Sequence, residues 1–143
     1  MDKMEKKLYT ATVMVEGGRE GKAVSSDGIL DVDLKVPKEM GGPGGDGTNP
    51  EQLFAAGFAA CFEGALGVVL RKHRIKSEGT KITSHVTIGK DVNDGFVLSV
   101  IMDIAIKGVE TSIAKQMVEE AHDVCPYARA TRGNIEVITN VVG

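Results

Sequence analysis

The run Asn49-Pro50-Glu51-Gln52, followed at residues 53–70 by LFAAGFAACFEGALGVVL, decides how the rest of the chain is read. Thr48 or Asn49 can act as N-cap, Pro50 suits the first helical position, and Glu51 suits the first turn, where free N–H groups favour a carboxylate. Two rows at i+4 spacing follow: Leu53, Gly57, Cys61, Ala65 and Val69, then Phe54, Phe58, Phe62, Leu66 and Leu70. A helix apolar nearly all round belongs in a core or a membrane. About 18 apolar residues is the lower limit for a span. Glu63 in mid-stretch is costly in lipid, and the many Gly and Ala residues dilute the apolarity. A long central helix of a soluble protein is therefore expected, with Gly57, Ala59, Ala60, Gly64 and Ala65 small enough for another backbone to approach. Arg71-Lys72-His73-Arg74 places cations at its C-terminal end, where the helix dipole favours them.

Upstream, Tyr9, Ala11, Val13 and Val15 alternate with polar residues, as in a half-buried strand. Gly17-Gly18-Arg19-Glu20-Gly21 breaks that strand, and Lys22–Ser25 can return as its hairpin partner, so Arg19 lies on a glycine-flanked tip. As a turn residue it reads as a solvated arginine; the glycines also suit an arginine that gates a site. Leu30, Val32, Leu34 and Val36 alternate strictly in a strand with one wet face, which Pro37 ends. In the loop that follows, Gly42, Gly44 and Gly47 match G-x-G-x-x-G, but the preceding strand alternates, Pro43 interrupts the motif and the glycines stop short of the helix cap. Dinucleotide binding is not expected.

Downstream, Ile82, Ser84, Val86 and Ile88 form one strand, Asn93-Asp94-Gly95 signals a hairpin, and Phe96, Leu98, Val100, Met102, Ile104 and Ile106 form a long second strand. Thr111 or Ser112 can cap a second helix with Ile113, Met117, Ala121 and Cys125 on one ridge; Pro126 ends it. Residues 127–134 read as a loop and residues 135–142 as a last strand. Strands, helix, strands, helix, strand describe an α+β chain with largely antiparallel sheets around a long buried central helix. At 143 residues one domain spanning 1–143 is the simplest reading.

A net charge of -3 gives no electrostatic case for nucleic acid or an anionic membrane. The charged start MDKMEKK has no apolar signal region, so a cytoplasmic location is expected. In that reducing compartment a structural disulfide between Cys61 and Cys125 is disfavoured and a redox role gains weight. On spacing alone each cysteine reads as a small buried hydrophobe. Two cysteines with His73, His85 and His122 show no metal-ligand spacing, and there is no C-x-x-C. If the cysteines act together, the economical chemistry is peroxide reduction: a thiolate becomes a sulfenic acid, a second thiol condenses with it, and an external dithiol resets the pair. The attacking thiol then needs a cation such as Arg19, held by a carboxylate such as Glu51, and an organic peroxide needs an apolar cup for which Phe54, Phe58 and Phe62 are candidates. Glu51 and Cys61 lie roughly 15 Å apart along one straight helix, so both reach one small site only if the chain bends or a partner subunit supplies Glu51. A homodimer with interfacial sites follows as an expectation. Glu63 either faces solvent or pairs with Arg71 or Lys72, and His122 is expected to be exposed.

GTNPEQLFAAGFAACFEGAL at residues 47–66 and VCPYARATRGNIEV at residues 124–137 closely resemble the organic hydroperoxide resistance proteins of the Ohr/OsmC family, nearer the Ohr branch. The Arg19 turn, DGILDVDLKVP and GGPGGDG match as well. The resemblance implies an OsmC-like fold, an intertwined homodimer, and thiol peroxidase activity on organic and fatty-acid hydroperoxides. It implies Cys61 as the peroxidatic and Cys125 as the resolving cysteine, Arg19 as the thiolate-stabilising cation and Glu51 as the carboxylate that holds it. It further implies no bound cofactor or metal, and a lipoylated protein or dihydrolipoamide as the reductant. Ala128 and Phe58 depart from the family's usual small polar residue and tyrosine without removing a catalytic group. A one-shot thiol redox sensor and a non-catalytic binding module remain competing classes; no basic face or helix-turn-helix supports a DNA-binding sensor.

Overall fold

A computed structural model describes residues 1–143. The chain's internal contacts divide it into two units, Met1–Pro50 and Glu51–Gly143.

The first unit is a three-stranded antiparallel sheet in the order β1-β2-β3, with β1 at Val13–Glu16, β2 at Lys22–Ser25 and β3 at Asp31–Asp33. The alternation from Tyr9 is ladder-paired only from Val13, and all four residues of β1 are exposed on both faces. β3 is shorter than the alternation of Leu30 to Val36: beyond Asp33 one bond continues toward β2, from Leu34 N–H to Gly21 C=O at 2.8 Å, while Leu34 also bridges Thr48 in parallel. The backbone bonds Lys35 N–H to Thr48 C=O at 2.9 Å and Thr48 N–H to Asp33 C=O at 2.8 Å close the glycine-rich loop into a compact lobe. A Cβ on Gly42 would stand 2.3 Å from the Val36 carbonyl oxygen. That glycine serves a close backbone approach within the loop, which accounts for its presence without a phosphate to cradle.

The second unit is built on α1, Pro50–Lys72, with proline at its first position. Its end is a Schellman turn: Ile75 N–H bonds Leu70 C=O at 2.9 Å and Arg74 N–H bonds Arg71 C=O at 3.1 Å, with Arg74 left-handed at φ 56°. β4 (Gly79–Lys90) and β5 (Phe96–Lys107) make a full-length hairpin. In its turn the Asp91 carboxylate accepts the N–H groups of Asn93 and Gly95, both at 2.9 Å. Helix α2 (Thr111–Val124) and a short α3 (Pro126–Thr131) then carry the chain to β6 (Glu136–Val142), which pairs parallel to β5. A parallel return needs such a crossover. The sheet order is β4-β5-β6, so β5 is central. Its Val100, Met102, Ile104 and Ile106 are buried with Phe58, Phe62, Leu66, Val69 and Leu70 of α1 and Ala114, Met117, Val118 and Ala121 of α2.

The buried row of α1 is therefore the phenylalanine row. Helix α1 is long and apolar enough to cross a bilayer, yet six of its residues lie in this core. Three sequence expectations move. Ile113 is exposed and Ala114 takes its place on the buried face of α2, whose N-cap is Glu110 rather than Thr111 or Ser112. Residues 127–134 are not all loop: Pro126 ends α2 and at the same time opens α3 as its first residue.

Candidate active site

Cys61 lies midway along α1 on the row Leu53, Gly57, Cys61, and is partly exposed. Cys125 is the single residue between α2 and α3 and is fully buried. The fold brings the two free thiols together, with the Cys125 S–H directed at Cys61 Sγ across 3.5 Å. A disulfide needs about 2.05 Å, so roughly 1.5 Å of movement would join them.

The surroundings of Cys125 follow from its place at the junction. As C-cap of α2 its N–H bonds the Ala121 carbonyl at 2.9 Å. As N-cap of α3 its sulfur accepts the Ala128 N–H at 3.4 Å. Burial pushes the Cys125 thiol above its ordinary pKa, partly opposed by that N–H. In this chain Cys125 therefore rests as a neutral thiol at neutral pH.

One turn before Cys61, Gly57 leaves room for an aromatic ring. A Cβ there would stand 3.0 Å from the Tyr127 hydroxyl. Tyr127 meets Phe54 and Phe58 at centroid distances of 6.3 and 5.8 Å, and Phe54 meets Phe58 edge-on at 6.0 Å. Tyr127 closes this aromatic cluster on its exposed side. The sequence pattern puts Tyr127 in a loop and outside the site; its place directly after Cys125-Pro126 is the signal that marks it. Phe62 points elsewhere, with its ring 5.0 Å from that of His122 on α2. The three phenylalanines thus do not line one cup: Phe58 and Phe62 have no exposed surface, and Phe54 is partly buried.

His122 is half-buried rather than exposed, and its Nε2 is 3.2 Å from the Thr139 hydroxyl of β6. Burial, reinforced by the Arg132 charge, lowers its pKa, so the ring is neutral at neutral pH. Arg132 in turn donates to the His122 carbonyl at 2.7 Å. Glu63 neither faces free solvent nor pairs with Arg71 or Lys72: its carboxylate accepts the Thr80 hydroxyl of β4 at 2.7 Å. Arg19 stands on the short 3-10 turn Gly18–Glu20 between β1 and β2, half-buried. Glu51 stands in the first turn of α1. No group of three or more His, Cys, Asp or Glu side chains is placed to hold a metal ion.

The geometry is that of a thiol pair able to close a disulfide beside an aromatic cluster. Residues 41–140 match the model of the OsmC-like protein family. The chain is 53% identical over 134 residues to an organic hydroperoxide resistance protein of Xanthomonas axonopodis pv. citri, covering 93% of this chain and 94% of that one. A crystal structure of an organic hydroperoxide resistance protein from Legionella pneumophila superposes with a TM-score of 0.91 at 44% identity, over 96% of this chain and 100% of that one. A putative organic hydroperoxide resistance protein from Vibrio cholerae, solved with captopril bound in one of its active sites, superposes with a TM-score of 0.92 at 41% identity, over 100% of this chain and 98% of that one. By sequence and by fold, this chain belongs to the OsmC-like family, among its organic hydroperoxide resistance proteins.

Proposed function

We propose that the chain protects against organic peroxide stress as a cysteine-based peroxidase that reduces organic hydroperoxides, fatty-acid hydroperoxides among them, to alcohols. The observation that carries this reading is the 3.5 Å approach of two free thiols 64 residues apart, one partly exposed and one buried. Its relatives' names, organic hydroperoxide resistance protein, supply the class of substrate. The Cys61 thiolate attacks one oxygen of the O–O bond, the alkoxide leaves and takes a proton, and Cys61 becomes a sulfenic acid. Cys125 then displaces water from that sulfur to form the disulfide. A cytoplasmic dithiol, of the lipoyl type, returns two electrons and resets the pair. Arg19 favours the thiolate and orients the peroxide, and Glu51 holds Arg19, as the family resemblance implies.

The active form in this reading is a homodimer. Two features support it. Strand β1 is an edge strand with both faces exposed. Helix α1 also leaves an exposed row at i+4 spacing, Ala56, Ala60, Gly64 and Val68, small enough for close packing of a second copy. A fully active monomer in solution would overturn the dimer.

To test the peroxidase, reduced protein is mixed with one equivalent of an organic hydroperoxide or of hydrogen peroxide, and thiol loss and peptide masses are followed. A Cys61–Cys125 disulfide that forms much faster with the organic peroxide is expected; slow, unselective loss of both thiols would overturn the reading. Arg19→Ala should slow oxidation on the order of a hundredfold, with stability kept within about 1 kcal/mol, as read by stopped-flow thiol loss and urea unfolding. Loss of stability with normal reactivity in the folded fraction would make Arg19 structural.

A further inference from the structure

We propose that the reductant resets the oxidised chain by attacking the sulfur of Cys61, with Cys125 as the leaving group. The inference rests on the peroxidase reading and extends it to the direction of the second half-reaction.

Thiol–disulfide exchange is an in-line displacement: the incoming thiolate approaches the attacked sulfur from the side opposite the bond that breaks. An attack on Cys125 would have to come from the side away from Cys61. Cys125 has no exposed surface, and its sulfur is held against the Ala128 N–H at 3.4 Å. Ala121 and Ala128, on the helices that flank it, are buried in the same core. Cys61, in the middle of α1, is partly exposed, so it is the member of the pair that has surface to offer. Solvent, and so a thiol, reaches the pair from the Cys61 side.

The step balances with the dithiol alone. Its first thiolate bonds to Cys61 Sγ, the S–S bond breaks, and its electron pair goes to Cys125 Sγ. The Ala128 N–H already directed at that sulfur stabilises the charge as it forms. The second thiolate of the reductant then attacks its own sulfur in the mixed disulfide, which releases the Cys61 thiolate and leaves the reductant as a cyclic disulfide. Leaving-group ability argues the other way, because burial raises the Cys125 thiol and a more basic thiolate departs more slowly. Access outweighs it: a poorer leaving group slows the displacement, whereas a sulfur with no line of approach does not react. The same raised value draws a proton onto Cys125 after it departs, which slows its return attack on the mixed disulfide.

The test uses the full-length chain with its disulfide formed by diamide, so it does not depend on any reaction with peroxide. The oxidised protein is treated with 2-mercaptoethanol, a monothiol that cannot complete the second displacement. It is quenched in acid at a series of short times, and the freed cysteine is alkylated and mapped by peptide mass. Extrapolated to zero time, which removes migration of the mixed disulfide, the mercaptoethanol adduct should lie on Cys61 and the alkyl label on Cys125, by about tenfold or more. An adduct on Cys125, an even distribution, or no diamide disulfide at all would each overturn the proposal. An organic hydroperoxide that fails to oxidise the reduced protein, alongside a Cys61 adduct from the diamide disulfide, would instead overturn the peroxidase reading and leave this regiochemistry standing.

Discussion

Cys61→Ser is expected to abolish turnover of organic hydroperoxides. A serine hydroxyl is not ionised at neutral pH, so no nucleophile remains to attack the O–O bond, and Cys125 cannot substitute. Cys125 is fully buried, and burial holds it in the thiol form. The exchange of sulfur for oxygen removes one S–H···S contact at a partly exposed position, so stability should change by only about 1 kcal/mol. The assay is peroxide consumption with an excess of a dithiol, beside a urea melt of the same preparation. Residual turnover at wild-type rate with Cys61 absent would remove this cysteine from the chemistry and return the chain to the binding-module class. Cys125→Ser should separate the two halves of the cycle: the first equivalent of peroxide is consumed, and Cys61 then accumulates as sulfenic or more highly oxidised acid because no buried thiol condenses with it.

Phe62→Ala should produce the largest loss of stability. The ring is fully buried between α1 and α2, and it is packed edge-on against His122. Truncating a buried phenylalanine to alanine costs about 3–5 kcal/mol from lost transfer energy and the cavity left behind. Against a total of about 5–15 kcal/mol for an ordinary domain, that is a large share. The melting temperature should fall on the order of 10 °C, and the urea midpoint should fall without a change in slope. The outcome also decides between two views of this residue. As a wall of a peroxide pocket, Phe62 would change selectivity among hydroperoxides and leave the fold nearly intact. Its complete burial favours the stability effect, whereas Phe54, partly buried beside exposed Tyr127, is the phenylalanine through which selectivity should move.

What could be read from the sequence was whatever local chemistry dictates. Proline at the head of α1, the unbroken apolar run behind it, the Asn93-Asp94-Gly95 turn and the alternation of β5 each fix a conformation over a few residues, and the structure follows them. Where the sequence leaves a residue open, as at Glu63, or misplaces it, as at His122, the deciding partner is far away in the chain. Glu63 is settled by Thr80 of β4, and His122 by Thr139 of β6 and the Phe62 ring. The parallel pairing of β6 on β5 is a matter of topology, not of pattern. Pro126 misled for a different reason. A proline that stops one helix is equally suited to start the next, and α3 turns what read as a loop into the support of Tyr127. The meeting of Cys61 and Cys125 was legible through the family resemblance; helix periodicity placed each cysteine on a face but could not say that the faces meet.

Cys125 closes one helix and opens the next with no residue to spare on either side. That joint has a consequence for length. Adding or deleting one residue between Val124 and Pro126 would turn everything beyond it by about 100° around the axis of α2. The sulfur would swing away from α1, and no neighbouring side chain could bring it back. The glycine-rich lobe closed by the Leu34–Thr48 bridge is held at Gly42 and Gly44, whose N–H groups bond the carbonyls of Pro37 and Val36 at 3.1 and 3.0 Å, but it is open around Gly45. Natural or designed variants of this chain should therefore differ in length at the tip of the lobe, around Gly45 and Asp46, and not at all at the joint that holds Cys125.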